Sequence, residues 1–100
     1  MVLTHILDTL LDADGNLANG RMVMECPAFI ASDGTAVAAS KIEYRVVDGA
    51  VDFWLAPTEG SDPQVQYTVD YFLMNGAHYR EIWNLPAAGP ITISQARGTA

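Results

Sequence analysis

The sequence holds one cysteine, only five basic side chains against twelve acidic ones, and no long apolar run. With Cys26 alone, an internal disulfide is impossible and no Cys-x-x-Cys pair exists for zinc or redox chemistry. The net charge of −7 at pH 7 produces a field that repels phosphate, which argues against nucleic acid as a partner. No apolar stretch approaches the ~20 residues needed to cross a bilayer, and no basic segment precedes an apolar one at the N-terminus. A soluble chain with no membrane partner and no export signal is the expectation. The two histidines, His5 and His78, lie far apart and form neither an H-x-x-x-H nor an H-E-x-x-H spacing. Gly-x-Ser-x-Gly, P-loop and dinucleotide fingerprints are also missing. The sequence thus gives no catalytic residue, no cofactor and no metal ligand.

What is present is a foldable composition: 50% of residues are apolar and 17% charged, enough to bury a core within 100 residues but not to divide it in two. A single domain over residues 1–96 with a loose tail over 97–100 is expected, and Met1 directly before the first element fits a small independent gene product. Five Asx-Gly dipeptides punctuate the chain: Asp14-Gly15, Asn19-Gly20, Asp33-Gly34, Asp48-Gly49 and Asn75-Gly76. Asx-Gly supplies the positive φ that tight turns require, so the spacing predicts an all-β chain. The five prolines fall at the ends of candidate strands, where a missing N–H does no harm. The resulting map has about seven strands, near residues 4–11, 20–26, 38–47, 50–56, 64–73, 77–85 and 90–96.

Two hairpins can be read in detail. A two-residue turn at Asp48-Gly49 pairs Val46 with Val51, Tyr44 with Phe53 and Ile42 with Leu55 on an apolar face. Arg45 then opposes Asp52, and Glu43 lies beside Trp54, on the other face. A three-residue loop, Met74-Asn75-Gly76, pairs Asp70 with Arg80, Tyr71 with Tyr79, Tyr67 with Trp83 and Val65 with Leu85. This second register puts Phe72, His78, Asp70, Arg80, Thr68 and Ile82 outward and leaves Glu81 as a misfit on the inner face. At the N-terminus, Leu3, Ile6, Leu7, Leu10 and Leu11 follow a helical stripe, so a helix competes there with a strand.

The segment Leu7–Met24, with Asp12, Gly15, Leu17 and the alternating Met22 and Met24, resembles the opening of transthyretin-like and carboxypeptidase-regulatory-like β-sandwich domains. Phe53-Trp54-Leu55-Ala56-Pro57 is similar to a strand end of that family. Tyr67-Thr68-Val69 and Trp83-Asn84-Leu85-Pro86 followed by Ile91-Thr92-Ile93 resemble modules of bacteriophage tail and other virion proteins. The sequence departs from the family near Asp8-Thr9, where a small residue is usual, and near Leu17, where a proline is usual. The resemblance implies an antiparallel immunoglobulin-like or transthyretin-like β-sandwich and favours a strand at the N-terminus. It also implies a virion structural role, capsid or tail, with other virion proteins or further copies of the chain as partners. In that setting the protein would reside in the virion, or in the host cytoplasm during assembly.

Remaining features are explained by structure. Asp12-Ala13-Asp14-Gly15-Asn16 lacks the glycine and glutamate positions of an EF-hand loop and reads as an Asx turn. Cys26, between Glu25 and Pro27, reads as a small buried hydrophobe. The nine aromatic residues are a different matter. A sandwich of this size encloses about five or six large rings, each removing roughly 150–250 Å² from water, so some must lie outside. Alternation puts Trp54 and Phe72 outward, with His78 and Arg80 beside Phe72, and exposed rings mark protein or carbohydrate contacts. Trp54, Phe72, His78 and Arg80 are therefore the interaction candidates, for a protein partner first and a carbohydrate as the alternative.

Overall fold

The computed structural model describes residues 2–97. Eight strands form: β1 (Thr4–Thr9), β2 (Gly20–Cys26), β3 (Phe29–Ile30), β4 (Ala36–Val37), β5 (Ser40–Val46), β6 (Ala50–Leu55), β7 (Tyr67–Leu73) and β8 (His78–Trp83). One short helix, α1 (Ile93–Arg97), follows. All strand pairs are antiparallel, in a four-stranded sheet ordered β5-β2-β7-β8, a two-stranded sheet β1-β6 and a small β3-β4 pair. The fold is all-β and sandwich-like, with eight strands rather than seven because the segment around Asp33-Gly34 adds the two-residue strands β3 and β4 while residues 90–96 form no strand.

The core lies between the inner faces of the two larger sheets. Met22, Met24, Val46, Val69, Tyr71 and Trp83 of the larger sheet face Ile6, Val51 and Leu55 of the smaller one, all within one buried cluster. Thr4 and Ile6 point inward while Leu3 and Leu7 are exposed, so the N-terminal segment has period-2 burial. It is a strand, and its helical stripe of leucines is divided between the core and the surface.

The β7-β8 hairpin has the expected register: Asp70 opposes Arg80, Tyr71 opposes Tyr79 and Tyr67 opposes Trp83. Gly76 takes φ 93° in its loop. Val65 and Leu85 are buried but lie beyond the strand ends. The Glu81 side chain is only 10% exposed, and it accepts a bond from Trp83 Nε1 at 3.3 Å and pairs with Arg97. An inward acid is thus met by a cation from the helix.

Three sequence expectations are corrected. β5 and β6 do not form a ladder: beyond the single bridge Val47–Ala50, β5 joins β2 and β6 joins β1. The Asp48-Gly49 turn forms, with φ 52° and 73°, but it is the corner at which the chain changes layers. Asn19 Oδ1 accepts the Asp48 N–H at 2.9 Å, Ala18 O accepts the Gly49 N–H, and Gly49 O accepts the Leu10 N–H, each of the latter at 2.8 Å. These bonds hold the corner away from a flat hairpin. Tyr44 and Phe53 still touch, at 4.6 Å between ring centroids and 55° between planes, but they do so across the layers. Arg45 consequently opposes Arg21 rather than Asp52, and Glu43 opposes Val23 rather than lying beside Trp54.

Asn19-Gly20 is not a turn, since β2 begins at Gly20. A Cβ on Gly20 would lie 2.3 Å from the Phe72 carbonyl oxygen, so glycine permits the close approach of β2 to β7. The third correction concerns residues 90–96, where only Ile91 bridges β1 and a helix then starts. Thr92 Oγ1 accepts the Gln95 N–H at 3.2 Å and Gln95 Oε1 accepts the Thr92 N–H at 2.9 Å, a reciprocal capping box. Asp8 Oδ2 takes the Ile93 N–H at 3.0 Å, and Ile93 and Ala96 enter the core. Arg97 therefore belongs to the helix rather than to a loose tail, and residues 98–100 lie outside the described residues.

Two buried tyrosines differ in what their hydroxyls meet. Tyr67 donates to the Ala56 carbonyl at 2.9 Å, whereas the enclosed Tyr71 hydroxyl has no partner of good hydrogen-bond geometry. Tyr71→Phe is expected to be neutral or to stabilise by about 1 kcal/mol, and Tyr67→Phe to destabilise by about 1 kcal/mol, as read by urea unfolding. Burial first, then the nearby Glu81, raises the pKa of Tyr71; burial first, then Cys26, raises that of Tyr67. Both hydroxyls stay protonated in the fold after the unfolded chain has begun to ionise near pH 10. Stability is thus intact below that pH and lost as pH rises further. Tyrosinate absorbance at alkaline pH should include a cooperative step coincident with loss of the β circular-dichroism signal.

Candidate interaction surfaces

Alternation along β6 turns Val51, Phe53 and Leu55 toward the core and Trp54 outward, leaving Trp54 56% exposed. Register pairs it with His5 of β1. The two rings stack at 4.1 Å with 9° between their planes, and His5 Nε2 lies 2.5 Å from Asp52 Oδ1. A carboxylate therefore holds an imidazole, and the imidazole supports the indole. Leu7, next outward on β1 and opposite Asp52, is also exposed. A fixed, solvent-facing indole beside an apolar neighbour combines large contact area with little conformational entropy to lose.

The other three candidates lie on the outer face of the four-stranded sheet. Phe72 opposes His78, and their rings stack at 4.3 Å. Phe72 is half-buried rather than freely exposed, because the Arg21 guanidinium covers it at 4.6 Å from the ring centroid. Arg80 lies one row further along and bonds Asp70 through Nε at 2.9 Å, with the carboxylate 12% and the guanidinium 67% exposed. That bond, followed by the Asp70 charge, raises the Arg80 pKa. Phe72, His78 and Arg80 are thus brought together, while Trp54 stands apart on the two-stranded sheet. Sequence reasoning missed His5 and Arg21, since their positions follow from the β1-β6 and β2-β7 pairings.

Arg21, Lys41, Arg45 and Arg80 all project from this outer face, leaving Arg97 as the only basic residue elsewhere. The acids there are Glu25, Glu43 and Asp70. An acidic protein thus gathers its cations on one sheet face. At one end of the face a cavity of about 460 Å³ runs from Arg21 and Arg45 to Val47 and Met74.

The remaining chemistry-bearing groups serve the fold. Asp12 Oδ1 accepts the N–H groups of Asp14 and Asn16 at 2.9 and 3.0 Å, so the acidic loop is an Asx turn. Cys26 is buried, and burial pushes its thiol pKa up, the reverse of what an activated nucleophile needs. Among the described residues no group of three or more His, Cys, Asp or Glu side chains could hold a metal ion. No helix there is long and apolar enough to cross a membrane.

Comparison with family models, with curated proteins and with solved structures finds no match. The fold and the surfaces define the chain as an all-β, sandwich-like domain with a supported exposed indole on one layer and a cation-rich face on the other.

The two tryptophans give a direct check, because Trp54 is exposed and Trp83 is fully enclosed. Acrylamide quenching of the native protein should resolve one accessible and one protected emitter. Trp54→Phe should leave only the protected one, and His5→Ala should make the accessible component easier to quench.

Proposed function

We propose that this chain is a non-enzymatic structural module of a bacteriophage virion that works through protein–protein contacts in capsid or tail assembly or decoration, with Trp54 as its principal contact residue. The carrying observation is the exposed Trp54 ring, stacked on His5 and flanked by Leu7. Tryptophans so placed dominate protein contacts, since they bury much area from a position already fixed in the free protein. The virion setting is supported by the likeness of Tyr67-Thr68-Val69, and of Trp83-Asn84-Leu85-Pro86 followed by Ile91-Thr92-Ile93, to modules of bacteriophage tail and other virion proteins. Repeated copies of the chain are the first partner to test, because virion proteins act in rings and lattices.

A second reading has its own support. An indole with one face stacked on His5 and a carboxylate at Asp52 also suits stacking against a sugar ring. A single comparison separates the two. Native mass spectrometry and sedimentation from micromolar to millimolar protein should detect concentration-dependent association that Trp54→Ala abolishes, with no signal on a broad glycan array. A chain that stays monomeric throughout and binds glycans through Trp54 would transfer the function to carbohydrate recognition.

A further inference from the structure

The outer face of the four-stranded sheet carries three cross-strand rows, and their charges differ in kind. In one row Lys41 opposes Glu25, with Lys41 Nζ 3.7 Å from Glu25 Oε1. In the next, Glu43, Val23, Asp70 and Arg80 follow one another across the sheet, with Arg80 bonded to Asp70. The first row is neutral, and the second carries two acids and one cation. The last row runs Arg45, Arg21, Phe72, His78, with no acid in it.

Like charges directly opposed across a ladder destabilise it. Arg21 has partial relief from Glu43 at 3.7 Å, in a pair whose side chains are 50% and 62% exposed, and such surface pairs contribute little. Arg45 has no ion pair among the described residues. Two of the five basic residues of an acidic protein are therefore set against one another at the mouth of a 460 Å³ cavity. Two exposed apolar side chains, Val47 at 53% and Met74 at 83%, line the same cavity.

We propose that this notch binds an acidic segment of a protein partner, with one carboxylate between Arg21 and Arg45 and an adjacent apolar side chain against Val47 and Met74. Charge complementarity selects the occupant. Two guanidiniums and the Glu43 carboxylate leave the notch one positive charge in excess, which matches a single carboxylate and not a run of phosphates. Guanidinium groups suit the planar carboxylate through paired N–H donors, and methionine adapts to apolar side chains of varied shape. The surface lies on the layer opposite Trp54, so a chain using both would join two partners.

The test is amide chemical-shift mapping of the ¹⁵N-labelled full chain with the capped peptide acetyl-Leu-Asp-Leu-amide. Parallel arms use its Asn analogue and inorganic phosphate. Saturable shifts are expected around Gly20–Met22, Val46–Val47 and Leu73–Met74, weakening as salt rises. The Asn peptide, and the Asp peptide on Arg21→Gln or Arg45→Gln, should bind about tenfold more weakly or less. Arg45→Gln should melt at or above the native temperature, since it relieves the opposed charges, and Trp54→Ala should bind the peptide normally. No shift at millimolar peptide, equal binding by Arg45→Gln, or phosphate binding as tightly as the Asp peptide would each overturn the proposal. None of these outcomes bears on the Trp54 surface.

Discussion

Phe53 ties the two layers of this protein together. It projects inward from β6, meets Tyr44 of β5 at 4.6 Å and lies parallel to the enclosed Trp83 of β8 at 6.2 Å. A two-stranded sheet has too little buried face to be stable alone, so β1 and β6 depend on this contact with the larger sheet. The corner at Asp48-Gly49 makes the contact possible by sending β5 into one layer and β6 into the other. Tyr44 then serves twice. Its ring packs on Phe53, and its hydroxyl donates to Ala50 O at 3.3 Å and accepts the Asp52 N–H at 3.2 Å. Those two groups would otherwise be open on an edge strand able to pair with another chain.

Once the interior is filled by Phe53, Tyr71, Trp83 and their aliphatic neighbours, period-2 alternation leaves the next residues no choice of side. Trp54 lies between Phe53 and Leu55, and Phe72 between Tyr71 and Leu73, so both must face outward. Their surroundings then diverge. Trp54 gains a supporting imidazole and keeps more than half its surface, while Phe72 is sandwiched between Arg21 and His78 and becomes part of a polar row. The same side-chain class in equivalent positions thus yields an apolar contact point on one layer and the backing of a cationic notch on the other.

The β7-β8 hairpin was legible because three independent signals agreed on one register: the Gly76 turn, the Asp70–Arg80 pair and the matched rings Tyr67–Trp83. The β5-β6 hairpin misled because side-by-side pairing and face-to-face packing bring together the same residues, Tyr44 and Phe53. What separates the alternatives is the clamp from Leu10, Ala18 and Asn19, about thirty residues or more away in sequence from Asp48 and Gly49, and no local pattern reveals it. The helix is a different case. Thr92-Ile93-Ser94-Gln95 carries a capping-box pattern in plain view, but Ile91 and Ile93 also alternate as a strand would. The Asp8 carboxylate on the Ile93 N–H adds a long-range bond to the helix start that the local pattern does not show. For the surfaces, outward-facing side chains were readable and their neighbours were not, since His5, Arg21 and Arg45 reach their places only through long-range pairing.

The charge pattern of the four-stranded sheet carries a final consequence. An open sheet face needs charged side chains to stay in water, and alternating signs satisfy that need with the least repulsion. Two of the three rows set a cation directly opposite an acid. If solubility were the whole reason for the cations, the row at Arg45 would hold an acid as well, and either arginine could be an acid or a neutral residue without loss to the core. The row that opposes two cations without an acid lines a cavity beside two exposed apolar side chains, and a negatively charged partner arriving there accounts for it better than any requirement of the fold.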